Sequence, residues 1–212
     1  MQVEVWSDVV CPWCYIGKRR LDEALAAFPG RDDVVVVHRA FQLDPKAVSD
    51  GRRTVDVIAE KYGTDPAGAA AMMANVTEVA ATVGLSYRLL DTVSGNTRDA
   101  HRLVLWAQAQ GQSAELLESM YSGYFEQARD IFTTEALCEL AAEAGLDSTE
   151  ARAMLSTTAF VDDVAADQAL AAQFGATGVP FFVFDRAYGI SGAQPLEAFA
   201  ATLERAAQGP PE

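Results

Sequence analysis

The chain has 212 residues, half of them hydrophobic, and a formal net charge of −14. That length can bury one substantial core, or a core with a packed subdomain. The acidity excludes a nucleic-acid surface, which needs a basic stripe, and an anionic lipid surface; no apolar run approaches the roughly 20 residues that span a bilayer.

Met1-Gln-Val-Glu-Val-Trp6 has no basic start, no apolar stretch and no small-residue cleavage site. It reads as a first strand rather than a signal peptide, and a cytosolic protein is expected. Three cysteines are too few for a disulfide framework in such a chain, and cytosolic cysteine pairs tend to be catalytic or metal-binding. Gln2 to Ser7 sets Val3, Val5 and Ser7 against polar or aromatic neighbours, a short strand pattern. A helix is predicted after Cys11-Pro-Trp-Cys14, with Ile16, Leu21, Leu25 and Phe28 near helical spacing and Pro29-Gly30 as its stop. Val34 to Val37 is a β-branched run that reads as a second, buried strand, parallel to the first.

From about Val48 to Gly175 the pattern changes to alanine-rich segments with apolar residues three and four apart. These hold Ile58 and Tyr62, then Met72, Val76, Val79 and Val83, then Leu103 and Trp106, then Leu117, Met120, Tyr124 and Phe125. Thr133 or Thr134 could cap the next helix, Asp147-Ser-Thr-Glu150 has capping-box spacing, and a last stretch carries Val161, Val164 and Leu170. Six or seven helices and no strand are predicted here. Phe181-Phe-Val-Phe184 is then a strong strand, Asp185-Arg186 a tight turn, and Ala187 to Ile190 its partner. Pro195 suits the first turn of a final helix with Leu196, Phe199 and Leu203 on one face, and Gly209-Pro-Pro-Glu212 reads as a frayed tail.

The chemistry lies in Cys11-Pro-Trp-Cys14, directly after a strand and opening a helix. Unpaired N–H groups and the helix dipole stabilise an anion there, and a cysteine in that setting can have its pKa lowered from about 8.5 to about 3.5–7.5. Cys11, at the cap, is the expected nucleophile, and Cys14, one turn on, the resolving thiol. Pro12 fits a position where a missing N–H costs nothing. Trp13 is expected to line the mouth. A structural disulfide, two zinc ligands, or two small core residues are the competing readings. Zinc would need His38, His101 or Cys138 as further ligands, and none stands at ligand spacing. Gly178-Val-Pro180, entering the Phe181 strand, gains weight only in combination with the upstream pair.

Together, Cys11-Pro-Trp-Cys14, the long helical middle and Gly178-Val-Pro-Phe-Phe-Val-Phe184 resemble the DsbA-like thioredoxin superfamily. Ser7-Asp-Val-Val-Cys-Pro-Trp-Cys-Tyr-Ile-Gly-Lys18 and Gly192-Ala-Gln-Pro195 resemble its FrnE-type branch. The order strand–helix–strand, helical insertion, hairpin–helix already reads as a discontinuous α/β domain over residues 1–44 and 176–212 with an inserted all-helical subdomain over 45–175, and the resemblance implies that this domain is a thioredoxin fold. It implies a thiol–disulfide oxidoreductase or isomerase acting on protein or small-molecule thiols and disulfides. The Cys11–Cys14 disulfide is then its redox group, with no bound cofactor and no metal. Pro180 would be a cis-proline facing the pair, and the Val179 backbone would pair with substrate. Pro12, Trp13, Val179, Pro180 and His101 are the expected substrate-binding residues, His101 because such a segment lies beside the active site in related chains. The usual DsbA setting is periplasmic, so the direction of electron flow stays open.

Kappa-class glutathione transferases and 2-hydroxychromene-2-carboxylate isomerases are similar in their helical insertion but carry serine where Cys11 stands. They are the enzymatic alternative; a redox-sensing or chaperone-like binding module is the non-enzymatic one. Glutathione fits as thiol co-substrate under either enzymatic reading. A homodimer through the helical segment is compatible with the sequence, although no exposed stripe establishes it. Cys138, among Leu137 and Leu140, reads as a core residue, and His38 as a strand-end residue without chemistry.

Overall fold

The computed structural model describes residues 1–209; of the tail predicted over Gly209–Glu212, residues 210–212 lie outside the described residues. Strand β1 (Gln2–Ser7) is central in a four-stranded sheet of order β2-β1-β3-β4. Its alternation separates two buried faces. Val3 and Val5 pack with Leu21 and Ala24 of helix α1 (Pro12–Ala27) and with Phe199 and Leu203 of α9 (Leu196–Ala207). Trp6, on the other face, packs with Phe181, Val183 and Ala171. Its indole N–H, too costly to bury unpaired, donates to the Asp167 carbonyl at 2.8 Å.

Strand β2 (Val35–Ala40) runs parallel to β1, with Gln2 opposite Val35 and Ser7 opposite Ala40. It begins and ends later than the valine run suggested. It is also an edge strand: Val35 is 61% exposed, so the expected fully buried strand is corrected to a half-covered one. A continuous apolar run shows that both faces can be covered, but not which strand lies at the rim. Strand β3 (Phe181–Phe184) lies antiparallel to β1. Asp185 and Arg186, both at positive φ, turn the chain into β4 (Tyr188–Ser191), one residue beyond the predicted span. Pro195 caps α9 rather than entering it.

The sequence between β2 and β3 contains seven α-helices: α2 (Thr54–Tyr62), α3 (Pro66–Ala81), α4 (Arg98–Gln108), α5 (Ser113–Tyr121), α6 (Thr134–Glu143), α7 (Ser148–Leu155) and α8 (Val161–Gln173). Asp65, Thr133 and Asp147 cap α3, α6 and α7, each accepting backbone N–H bonds with its side chain. Helix α8 packs on the sheet, where the Asp167 carboxylate accepts from the Ala40 N–H at 2.9 Å and pairs with Arg39 at 3.1 Å. Helix α1 is covered on two sides. Leu21 and Ala24 face the sheet, while Cys14, Tyr15 and Ile16 join a large apolar cluster with α2–α7. The first turn of α1 therefore lies at the junction of sheet and helices.

Candidate active site at the head of helix α1

Residues 8–11 turn the chain from β1 into α1. The Cys11 N–H donates to the Asp8 carbonyl at 3.0 Å, and the Cys14 N–H donates to the Cys11 carbonyl at 2.9 Å. Cys11 takes the cap position with extended backbone, and Pro12 follows at the first helical position. The Tyr87 hydroxyl donates to the Pro12 carbonyl at 2.7 Å, tying this turn to the helical segment. The Cys11 Sγ–H donates to the Val179 carbonyl at 3.6 Å, and the Val179–Pro180 peptide bond is cis. Gly17 permits this approach: a Cβ there would stand 3.1 Å from both Pro180 and the Phe182 ring. Cys11 and Cys14 are free thiols, 5% and 2% exposed.

Burial is the first cause holding the Cys14 thiol well above the usual thiol range. The hydrogen bond and charge of the Cys11 sulphur add to it, and the Asp8 backbone N–H opposes them. The Asp8 carboxylate is itself buried, accepting from the Leu43 N–H at 2.8 Å and meeting His101 Nε2 at 3.2 Å. Behind Cys14, a cavity of about 20 Å³ is bordered by Ser7, Lys18, His38 and Tyr121, room for about one water. His38 Nδ1 lies 2.9 Å from the Ser113 hydroxyl; burial and then the Lys18 charge push the imidazole down to about 4. The Tyr15 hydroxyl donates to Glu118 at 2.6 Å and accepts from Arg19 at 2.8 Å, and its ring stacks on Tyr121 at 4.9 Å between centroids.

In front of Cys11 lies a groove of about 380 Å³ between the head of α1 and helices α2 and α3. Its walls include Trp13, Leu43, Tyr62 and Met72, four of the seven large apolar side chains exposed among the described residues. Exposed apolar groups gathered at a cysteine sulphur are the pattern that binding surfaces show. Tyr124 and Phe125 supply part of the floor. A π-helical turn over Ser122–Glu126 lets these sequence neighbours bury together. Hollows of about 400 and 370 Å³ beside α8 contain neither cysteine nor histidine.

The structure thus brings Cys11, Pro12, Trp13 and Val179 together at the groove. Pro180 is buried against Gly17, Cys14 lies beneath Cys11, and His101 is buried outside the groove wall, meeting the site only through Asp8. Sequence reasoning missed Asp8, Tyr87 and the α2–α3 wall. Asp8, three residues before Cys11, was the one with a readable position.

A vicinal cysteine pair heading a helix, opposite a cis-proline loop on a β2-β1-β3-β4 sheet, defines a thioredoxin-fold protein with a helical insertion. The chain belongs to the DSBA-like thioredoxin domain family, whose model matches residues 2–204. It is 48% identical to a probable DsbA oxidoreductase from Streptomyces coelicolor, covering 100% of this chain and 92% of that one with a TM-score of 0.94. A 2-hydroxychromene-2-carboxylate isomerase (14% identical, TM-score 0.73, 98% and 97% of the chains) shares the fold. So does the cytosolic disulfide reductase DsbM from Pseudomonas aeruginosa with GSH (20%, TM-score 0.68, 98% and 100%). The protein is thus of the DsbA-like thiol–disulfide oxidoreductase family, and the fold expected from the two anchor motifs is the observed one.

Proposed function

We propose that this protein exchanges electrons between its Cys11–Cys14 pair and thiols or disulfides in the adjoining groove. The observation that carries the reading is Cys11 at the cap of α1, its sulphur at once on the groove wall and against the Val179 carbonyl. The Cys11 thiolate attacks one sulphur of a substrate disulfide, forming a mixed disulfide and expelling the other sulphur as a thiolate. The expelled thiolate takes the Cys14 proton, and the Cys14 thiolate attacks the Cys11 sulphur, releasing the second substrate thiolate. The protein dithiol has then lost two electrons to the substrate. Two equivalents of a thiol such as glutathione restore it, leaving as their disulfide, and the reverse sequence oxidises a substrate dithiol. Burial keeps Cys14 protonated until a mixed disulfide forms beside it.

A cytoplasmic setting and a place in the FrnE-type branch belong to the same proposal. The description of the Pseudomonas relative as a cytosolic disulfide reductase supports the setting. Equilibration in graded glutathione buffers, with alkylation and mass readout, tests the pair directly. A single two-electron transition in Cys11 and Cys14 is expected. A midpoint near about −270 mV indicates a reductant and one near about −120 mV an oxidant. A Cys14→Ser variant should accumulate mixed disulfides on Cys11. Full multiple turnover by that variant would overturn the scheme and favour a glutathione-dependent transferase or isomerase, which needs no resolving thiol.

A further inference from the structure

We infer that the groove beside Cys11 selects small-molecule disulfides with an apolar body and a carboxylate, the carboxylate being read by Lys61; this rests on the exchange function proposed above. The volume of about 380 Å³ falls in the range of about 300–1,000 Å³ typical of small-ligand sites. Ile58, Met72, Met73 and Val76 from α2 and α3 face Trp13 across it, so the body of the ligand lies against carbon and thioether.

Polar recognition is confined to one side. The hydroxyls of Thr54, Thr92 and Tyr124 on the floor are engaged with one another at 2.9 and 3.2 Å. Thr92 and Tyr124 also reach the Leu89 and Val93 carbonyls, at 2.8 and 2.9 Å. They are satisfied without a ligand. Lys61 is the one charged side chain among the lining residues, and among the described residues no carboxylate pairs with it. Lys61 is exposed, and its ammonium stands 5.9 Å from the ring centroid of Tyr62, another lining residue. The chain carries 30 acidic and 16 basic residues, yet none of the acids lines this groove. A surface of that sign repels anions, and an unpaired cation beside an apolar trough is where a carboxylate gains a charge-assisted contact. A neutral apolar ligand would leave Lys61 unused, and a purely polar anion would leave the trough unfilled.

Two aromatic disulfides that differ in charge provide the test. They are 5,5′-dithiobis(2-nitrobenzoate), with two carboxylates, and neutral 4,4′-dithiodipyridine. Single-turnover oxidation of the reduced protein is followed across probe concentration. Lys61→Glu should raise the half-saturating concentration of the carboxylate probe about tenfold or more, as loss of a charge-assisted contact implies. Its limiting rate should be kept, and the neutral probe should move less than about twofold. Arg31→Glu, beyond the far end of α1, changes net charge equally and should leave both probes unmoved. Met72→Ser should weaken both. An equal effect of Lys61→Glu on the two probes overturns the inference while leaving the exchange function standing. So does preference for a scrambled protein disulfide with no saturation by either probe. Failure of the unaltered protein to oxidise at Cys11 with any of these disulfides refutes the exchange function itself.

Discussion

Lowering the pH from 7 to 4.5 should cost the folded chain about 2.4 kcal/mol through one imidazole, that of His38. The side chain is 8% exposed, hydrogen-bonded to Ser113 and close enough to Lys18 to feel its charge, and its pKa is pushed down to about 4 from 6.5. A depressed histidine stays neutral in the folded chain while the unfolded chain takes up a proton. Stability is therefore intact above 6.5 and is lost as the pH falls from 6.5 towards about 4, flattening below that. Each pH unit inside the window costs about 1.4 kcal/mol, so the two units from 6.5 to 4.5 set an upper bound of about 2.7, and rounding at both ends gives about 2.4. Urea unfolding of the wild type and of His38→Gln at both pH values isolates the effect. Any constant cost of the substitution cancels in the difference. So does the acid sensitivity of Glu4, whose pKa burial raises but the Arg186 and Arg39 hydrogen bonds lower further. The variant should lose about 2 kcal/mol less than the wild type on acidification. Equal losses in the two proteins would refute the assignment of a buried neutral imidazole.

Gly17→Ala should destabilise the chain by about 1 kcal/mol, the overpacking against Phe182 and Pro180 at 3.1 Å exceeding the gain in helix propensity. A raised melting temperature would show that α1 can move away. Cys138 is 3% exposed and its thiol is pushed up, first by burial. Maleimide should label Cys11 in the native reduced protein and Cys138 only after unfolding. Labelling of Cys138 at a matching rate would contradict its place in the core.

The elements that the sequence determined are those set by local physics. The cap at Cys11, Pro12 at the first helical position and the Asp147 cap depend on a few neighbouring residues, and each stands where the pattern put it. The helical character of α2 to α8 follows from apolar spacing in the same way, and Cys138 is buried as its apolar neighbours suggested. What required tertiary structure was contact between distant segments. Nothing local says that Asp8 meets His101, that Tyr87 ties down Pro12, or that Met72 and Lys61 face Trp13 across a groove. Met72 and Met73 illustrate the limit. One is 41% exposed and the other 6%, yet both line the groove, because the helices leave it open on one side. From the valines before it His38 reads as a strand end, yet it lies within β2 and is buried. Its hydrogen-bond partners Gln108 and Ser113 lie 70 and 75 residues further along. Local propensity placed the cysteine pair; the packing of α2, α3 and α4 around it decided what surrounds the sulphur.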